Sequence, residues 1–276
     1  MDTKKIKKLT DIAGKIRKGI IEMLVPKESH HIGCSMSMVE ILTYLYFEEM
    51  NINPKKPIDS NRDIFILSKG HAGASLYATL SLRGFFNKKI LNKFDIDGGL
   101  LPEHATSVVP GIELSTGSLG HGLPVGLGFA LSFLTDNKKN NVYIGMSDGE
   151  LNEGSNWEAI MFAGHHKINN LIAIIDKNDF QGYGSTKDVI DLSPIQDKLN
   201  SFNWNTYVID GHNFSQLSKT FNKIRNSKNK KPHFIIANTI KGKGISEFEG
   251  KFDSHYHSIT QEMKVKLLDN FKNPKL

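Results

Sequence analysis

Two short polar segments carry oxygen ligands of the kind that a hard metal ion binds. Asp148 lies in Ser147-Asp-Gly-Glu150, directly after the apolar run Val142–Met146, and Asn178 follows the next apolar run, Leu171–Ile175. If the two runs are neighbouring parallel strands, their carboxyl ends bring Asp148 and Asn178 together, although 30 positions separate them. A carboxylate, an amide oxygen and a backbone carbonyl suit Mg²⁺ and leave positions for diphosphate oxygens. The pair predicts a diphosphate-binding Mg²⁺ site, whereas each segment alone is also typical of a turn or a helix cap.

The hydrophobic pattern predicts the elements that position these residues. Apolar residues at helical spacing predict helices over residues 3–24 and about 37–49, and apolar runs predict further strands at Phe65–Leu67, Tyr207–Ile209 and Phe234–Ala237. The other predicted helices cover about residues 72–82, 119–134, 155–166 and 214–226, and residues 95–117 are predicted to be a loop. Strands alternating with helices predict an α/β fold, a parallel sheet flanked by helices on both faces. We expect residues 1–276 to form a single domain, with residues 245–276 as a C-terminal loop and tail.

Composition limits the class of protein. The net charge is +6, and the lysines that crowd the first predicted helix have no interleaved aromatic residues, so a solvated face is favoured over a nucleic-acid site. The single cysteine, Cys34, excludes an internal disulfide and a multi-cysteine metal site. No apolar run reaches the length of about 18 residues that a membrane span needs. The charged N-terminus lacks an apolar signal core, so we expect a cytoplasmic protein without nucleic-acid or membrane partners.

The segment from Ser147 to Ala159, continued at Asp176-Lys-Asn178, resembles the thiamine-diphosphate motif of transketolases, which is Gly-Asp-Gly followed later by Asn. Three further segments resemble transketolase segments and occur in the family's order: Ser68-Lys-Gly-His-Ala72, Ser115-Thr-Gly-Ser-Leu-Gly-His-Gly122 and Thr239-Ile-Lys-Gly-Lys-Gly244. The likeness covers roughly residues 10–260. It implies the thiamine-diphosphate-binding fold and the transfer of a two-carbon ketol unit from a ketose to an aldose.

The resemblance also implies site residues. Asp148, Asn178 and the main-chain carbonyl of Phe180 would bind Mg²⁺, with Ca²⁺ or Mn²⁺ as substitutes. The residues that would contact thiamine diphosphate are His71, Gly117, Ser118, Leu119, Ser147, Asp148, Gly149, Glu150, Asn178 and His257. Glu153 matches an acidic residue that faces its twin across the family's dimer and couples the two sites.

Four histidines are assigned to substrate binding and catalysis by resemblance. They form the second part of the predicted site. His31 is assigned because Ser29-His-His-Ile-Gly33 resembles the family's Ser-Gly-His-Pro-Gly. His104 is assigned because Leu101-Pro-Glu-His104 resembles Leu-Pro-Gly-His. His257 is assigned from the segment Ser254-His-Tyr-His257. Together with His71 they would orient sugar hydroxyls and move protons. A histidine in a loop is usually a solvated residue. We interpret the following histidines in that way: His165, His166, His212, His233 and His255. The interpretation of His30 stays open.

Whole transketolases are more than twice as long as this chain. Their second half supplies the glutamate that activates the cofactor, the aromatic clamp on its ring and the arginines that bind sugar phosphate, and this sequence contains no candidate for them. We therefore expect the N-terminal subunit of a split transketolase, active only with a separate C-terminal subunit in an α2β2 assembly. Four departures from the family pattern are Ile32, His121, Ser147 and Ser258. They favour a specialised role with an unusual sugar or sugar phosphate.

Other classes of protein share parts of these motifs. The glycine segment 116–122 resembles that of a short-chain dehydrogenase but is one residue too short. Tyr183–Lys187 has the catalytic spacing of that family, but its glycine predicts a loop rather than a helix, so we reject nicotinamide binding. Another thiamine-diphosphate enzyme subunit, similar to deoxyxylulose-phosphate synthase or to a dehydrogenase E1 component, stays open. So does a non-catalytic homologue that acts as a binding partner.

Overall fold

The computed structural model describes residues 1–24, 30–256 and 260–270. The helices are α1 (Thr3–Leu24), α2 (Ile32–Ser37), α3 (Val39–Tyr44), α4 (Gly73–Arg83), α5 (Gly122–Thr135), α6 (Gly154–His165), α7 (Thr186–Ile190), α8 (Ile195–Ser201), α9 (Phe214–Arg225) and α10 (Gln261–Asn270). The strands are β1 (Ile64–Leu67), β2 (Val142–Ser147), β3 (Leu171–Lys177), β4 (Phe180–Gln181), β5 (Gly184–Ser185), β6 (Asn205–Asp210) and β7 (His233–Asn238). Short 3₁₀ turns cover Gly70–Ala72, Lys88–Lys93, Gly149–Asn152 and Phe252–His255.

The five longer strands form one parallel sheet in the order β1-β2-β3-β7-β6. In the pairing of β2 with β3, Ser147 lies opposite Asp176, so the segments that begin with Asp148 and Lys177 leave the sheet at the same edge. The two short strands β4 and β5 form an antiparallel ribbon immediately after Asn178. The sheet therefore delivers both predicted metal-binding segments to one place, as parallel topology requires.

Helices cover both faces of the sheet. Successive side chains of a strand point to opposite faces, and the strand residues divide accordingly between two buried clusters. Phe65 and Ile174 belong to the cluster that also holds residues of α1 to α4 and α9, whereas Ile66 and Ile175 belong to the cluster with residues of α5, α6 and α8. The predicted α/β fold, a parallel sheet flanked by helices on both faces, is confirmed.

The helix expected at about residues 37–49 differs from the prediction. It begins at Ile32, is interrupted at Met38 and ends in a π-helical turn at Leu45–Glu49. All six residues of α2 are buried, so they show no polar face from which helical periodicity could be read. The segment expected to be a loop and tail contains α10, whose Leu267 packs into the core.

Among the residues that the structure describes, no helix combines the length and the apolar character required to cross a bilayer.

A buried ion cluster joins α1 to α3 on one side of the sheet. The two terminal guanidinium nitrogens of Arg17 donate to Glu40, at 2.6 and 2.9 Å, and His212 Nδ1 lies 2.8 Å from Glu40 Oε2. Burial alone would raise the pKa of Glu40, but Arg17 and the hydrogen bond from His212 outweigh it and lower the pKa from 4.5 to about 2. The ionised carboxylate therefore stabilises the folded chain.

This cluster predicts a loss of stability in acid. A carboxylate whose pKa is lowered on folding contributes fully above its ordinary pKa of 4.5, and the contribution is lost as the pH falls towards about 2. The shift corresponds to about 3 kcal/mol. Between about pH 5 and pH 2, the unfolding free energy of the native chain should fall by that amount more than in Glu40→Gln. Denaturant titrations across this pH range measure the difference. Glu22→Gln, at the surface of α1, should show the same dependence of unfolding free energy on pH as the native chain. Equal pH dependences for the native chain and Glu40→Gln would contradict the assignment.

Candidate active site

Asp148 and Asn178 lie where β2 and β3 end, and both are 5% exposed. The two carboxylate oxygens of Asp148 each accept a backbone N–H, from Gly149 at 2.9 Å and from Asp179 at 2.6 Å. These bonds tie the end of β2 to the segment after β3. Burial, followed by the neighbouring Asp176 carboxylate, raises the pKa of Asp148 to about 7. The folded chain thus holds this carboxylate in a place where a bound cation would offset the cost of its charge.

The orientation of the Asn178 side chain follows from its hydrogen bonds. Nδ2 donates to Asp176 Oδ2 at 3.3 Å, so the amide oxygen points the other way and accepts the Phe180 N–H at 3.2 Å. Asp176 is itself fully buried and is fixed by Ser37 Oγ at 2.5 Å and by an ion pair with Lys69. Asp176 therefore sets which face of Asn178 is available as an oxygen ligand.

The donor set fits a hard divalent cation bound to a diphosphate. The carboxylate of Asp148, the amide oxygen of Asn178 and the main-chain carbonyl of Phe180 are all oxygen atoms on adjoining segments. Mg²⁺ prefers such ligands and completes its octahedron with phosphate oxygens and water. The residues present are thus compatible with the metal and diphosphate that the sequence predicts.

Ser147 and Gly149 flank the aspartate and shape the turn after β2. The Ser147 hydroxyl accepts the Glu150 N–H at 3.3 Å, so the serine that replaces the family's glycine stabilises the turn. A side-chain carbon at Gly149 would lie 2.6 Å from Gln181 Cβ. The glycine is therefore required for the close packing of residues 180–181 against the aspartate turn.

Glu150 lies behind the site. It is fully buried, and its carboxylate accepts the Gly120 N–H at 2.9 Å and the Ser68 hydroxyl. The Ser68 hydroxyl accepts the Gly122 N–H at 3.1 Å. These bonds fasten the turn at Gly117–Leu119, predicted to contact the cofactor, to the carboxyl ends of β1 and β2.

A cavity of about 290 Å³ opens beside this edge of the sheet. The predicted site residues that line it are His31, His71, His104, Gly117, Leu119, Ser147, Gly149, Glu153, Asn178 and Phe180. Ser118 and Glu150 do not line it, and Asp148 lines an adjoining cavity of about 540 Å³ with residues of α7. His257 lies outside the described residues. The structure thus brings together most of the residues that the sequence assigns to cofactor and substrate.

The rings of His31, His71 and His104 form one cluster in the cavity wall. The centroid of His31 lies 5.2 Å from that of His71 and 5.9 Å from that of His104. Burial lowers the pKa of His71 and of His104, which keeps both imidazoles neutral near neutral pH. Neutral imidazoles can both donate and accept hydrogen bonds, as binding of a polyhydroxy substrate requires.

His255 belongs to the same cluster, although the sequence interpretation left it as a solvated residue. Its ring centroid lies 5.0 Å from that of His31 and 5.8 Å from that of His71. The 3₁₀ turn Phe252–His255 aims it inward. The resemblance assigned His257 in Ser254-His-Tyr-His257, whereas the direction of the His255 side chain depends on this turn and could not be read from the motif.

Sequence reasoning also missed three buried groups at the base of the cavity. Lys241 Nζ lies 3.4 Å from Cys34 Sγ and 3.3 Å from His255 Nδ1, and Lys69 Nζ donates to the Cys34 carbonyl at 3.1 Å. Burial alone would raise the pKa of the Cys34 thiol, but Lys241, together with His71 and His255, outweighs it and lowers the pKa well below its ordinary value. Both lysines lie in segments that resemble transketolase segments, but the burial of their side chains could not be predicted from the motifs.

The remaining histidines have local partners or lie at the surface. His30 Nδ1 lies 2.7 Å from the Tyr256 carbonyl, and His121 Nδ1 lies 3.2 Å from the Leu119 carbonyl. His165 and His166 are exposed on the end of α6. His233 is buried and stacks on Tyr207, and burial lowers its pKa to about 4.

Comparison with solved structures places this architecture among transketolases. The structure superposes on the crystal structure of transketolase from Campylobacter jejuni with a TM-score of 0.91 and 28% sequence identity. The match covers 100% of this chain and 44% of that one, so the chain spans less than half the length of this solved relative. The fold is therefore the thiamine-diphosphate-binding fold found in transketolases.

The family match is equally direct. Residues 9–270 match the family described as transketolase, thiamine diphosphate binding domain, and the chain belongs to that family. It is similar to one of the subunits of the apulose-4-phosphate transketolase of Phocaeicola vulgatus, with 40% identity over 248 residues that cover 90% of this chain and 88% of the relative. It is likewise 40% identical over 252 residues to the 6-deoxy-6-sulfo-D-fructose transketolase subunit SqwG of a Clostridium species, covering 91% of each.

Proposed function

We propose that the chain is the N-terminal, diphosphate-binding subunit of a two-chain transketolase that transfers a two-carbon ketol unit from a ketose to an aldose. The observation that carries the proposal is the set of oxygen ligands at the ends of β2 and β3, beside a cavity walled by histidines. Membership of the family supports it, as do the two relatives that are named as transketolase subunits.

Asp148, Asn178 and the carbonyl of Phe180 would hold Mg²⁺, and through it the diphosphate of thiamine diphosphate. The thiazolium ring supplies the nucleophile and the electron sink for the ketol unit when the cofactor is bound. Gly117 and Leu119 line the cavity and would contact the cofactor. Gly117 has φ 148°, and a side-chain carbon there would lie 2.9 Å from His104 Cδ2, so the turn needs glycine to sit this close to the histidine cluster.

The histidine cluster would bind the sugar. His31, His71, His104 and, from its position in the structure, His255 would hydrogen-bond the hydroxyl groups and move protons at the carbonyl and hydroxyl oxygens of the reacting sugars. Lys241, 1% exposed and directed at the same cavity, supplies positive charge at its base for the diphosphate. Glu153 also lines the cavity, and we retain for it the proposed coupling between two sites.

A titration tests the cofactor assignment. Thiamine diphosphate is added, with and without Mg²⁺, to the chain purified together with whatever second chain accompanies it. We expect saturable binding that requires Mg²⁺, because the diphosphate would be held chiefly through the ion. Thiamine, which lacks the diphosphate, is the matched ligand control and should bind weakly and independently of Mg²⁺. Equal binding of both ligands would contradict the proposal, and absence of any binding would support the non-catalytic alternative.

The need for a partner is supported by exposed apolar side chains on α5 and α6. These two helices pack against each other, and their exposed side chains include Val125, Leu131, Met161 and Phe162, which are 37–55% exposed. Apolar groups gathered on neighbouring helices are typical of a surface that another chain covers. We propose that this surface is buried in the assembly with the C-terminal subunit.

A charged residue in this surface should disrupt the assembly without unfolding the chain. Met161→Glu is expected to weaken the association by roughly tenfold or more, since it buries an unpaired charge at an interface. Light scattering after size-exclusion chromatography measures the mass of the assembly, and circular dichroism checks that the chain stays folded. Ile58→Glu, at a side chain 92% exposed in the loop before β1, is the control. An intact assembly with Met161→Glu would show that the partner binds elsewhere.

The sugar is proposed to be a specialised one. The two relatives carry the names of different ketoses, one with a phosphate and one with a sulfonate group. The departures at Ile32 and His121 from the common family pattern support substrates other than the ordinary pentose phosphates. Brisk turnover of xylulose 5-phosphate by the reconstituted pair, faster than turnover of the two named ketoses, would contradict this part of the proposal.

A further inference from the structure

Glu103 occupies a position at which the resembled transketolase pattern, Leu-Pro-Gly-His, has glycine. Its Oε1 lies 2.9 Å from His31 Nδ1, and both side chains are mostly buried, at 28% and 19% exposure. The hydrogen bond to His31 lowers the pKa of Glu103, so the carboxylate is ionised at neutral pH. An ionised carboxylate can only accept a hydrogen bond, and the hydrogen in this contact therefore belongs to His31 Nδ1.

The contact joins two fixed segments of backbone. The His31 N–H donates to the His255 carbonyl at 3.0 Å, and the residue starts α2 with φ 66°. On the other side, the Tyr77 hydroxyl donates to the carbonyl of His104, the residue after Glu103, at 2.8 Å. Since both backbones are held, the contact fixes the orientation of the His31 ring.

The second ring nitrogen of His31 is left available. Within the described part of the chain, Nε2 of His31 makes no hydrogen bond, and the residue lines the cavity beside His71 and His104. A neutral imidazole with its hydrogen on Nδ1 carries a lone pair on Nε2. The ring can thus accept a hydrogen bond or a proton from a molecule in the cavity.

We propose that Glu103 is a positioning residue that fixes His31 in the tautomer with hydrogen on Nδ1, so that Nε2 accepts from a hydroxyl group of the sugar. The identity of the ligand as a polyhydroxy ketose or aldose rests on the proposed function. The tautomer itself does not. A chain with glycine at this position would lack the carboxylate that selects one tautomer.

Nitrogen-15 NMR of histidine-labelled chain, purified with its partner subunit, tests the tautomer. At about pH 8.5, where an ordinary imidazole is neutral, His31 should give one tautomer protonated at Nδ1. Its signal is assigned by its loss in His31→Asn. Glu103→Gly and Glu103→Gln should both give a mixture of tautomers, the second because its amide can donate to Nδ1 as well as accept from it, and Asp97→Asn should change nothing. An Nε2-protonated or doubly protonated ring in the native chain would overturn the inference.

Kinetics test the consequence for substrate. In Glu103→Gly, kcat/KM for the ketose should fall by about 10- to 100-fold, as is usual when the partner that orients a histidine is removed. The affinity for thiamine diphosphate should stay unchanged, and Glu103→Gln, whose amide does not select one tautomer, should also lose activity. Native kinetics in Glu103→Gly, or a loss confined to cofactor affinity, would overturn the role of Glu103. A native pair that transfers no ketol unit would overturn the proposed function, while the NMR result would still decide the tautomer.

Discussion

Replacing Asp148 with alanine should weaken Mg²⁺-dependent binding of thiamine diphosphate by roughly 100-fold or more, a larger loss than removal of a supporting residue around a metal causes. The variant loses the charged ligand, whereas Asn178 and the Phe180 carbonyl remain. The charge of the buried carboxylate costs stability in the ligand-free chain, as its raised pKa shows, whereas the two backbone hydrogen bonds that it accepts contribute stability, so the two effects of its removal oppose each other. The expected signature is therefore a loss of the thermal stabilisation that Mg²⁺ and thiamine diphosphate produce.

The matched control is Asp179→Asn in the same loop. The Asp179 side chain is 65% exposed and pairs with Lys177, and its backbone N–H, which binds Asp148, is retained in the variant. It should bind the cofactor with nearly native affinity. Titration calorimetry on the two variants and the native protein separates the outcomes. Native affinity in Asp148→Ala would remove the proposed metal site from this loop.

Replacing Lys69 with methionine should lower the unfolding free energy by about 3–5 kcal/mol, the usual cost of leaving one partner of a buried ion pair without its counter-charge. Lys69 and Asp176 are both fully buried, and Lys69 also donates to the Cys34 carbonyl at 3.1 Å. Asp176 in turn orients Asn178. The variant should therefore also weaken cofactor binding, although Lys69 is no ligand in the proposed site.

Lys177→Met provides the comparison. Lys177 lies at the end of β3, and its ion-pair partner, Asp179, is mostly exposed. Its ion pair with Asp179 is worth about 0–1 kcal/mol by the usual measure of surface pairs. Denaturant titration of the ligand-free chain gives both values from the unfolding midpoint and slope. If Lys69→Met were as mild as Lys177→Met, the buried pair would not organise this edge of the sheet.

The fold was predictable because its signals are local. The apolar runs at 142–146 and 171–175 lie between segments with helical spacing of apolar residues. A chain in which strands alternate with helices is expected to form a parallel sheet. From that topology alone, Asp148 and Asn178 had to meet at one edge, and the register of Ser147 with Asp176 bears this out.

The parts of the site that could not be predicted depend on contacts between distant segments. Cys34, Lys241 and His255 come together only after α2, the segment after β7 and the turn at Phe252–His255 are packed. The same holds for Glu103, which is 72 positions from His31 in the sequence. Spacing within a motif carries no signal for such pairs, and buried lysines are rare enough that a lysine in a glycine-rich segment is ordinarily assigned to the surface.

The most direct test of the central claim is ketol transfer by the chain reconstituted with the second subunit that copurifies with it. With thiamine diphosphate and Mg²⁺ present, the pair should convert a ketose donor and an aldose acceptor into products that differ by two carbons. Either chain alone should be inactive, and so should the pair that carries Asp148→Ala. Transfer by this chain without a second subunit, or full activity of the Asp148→Ala pair, would contradict the account.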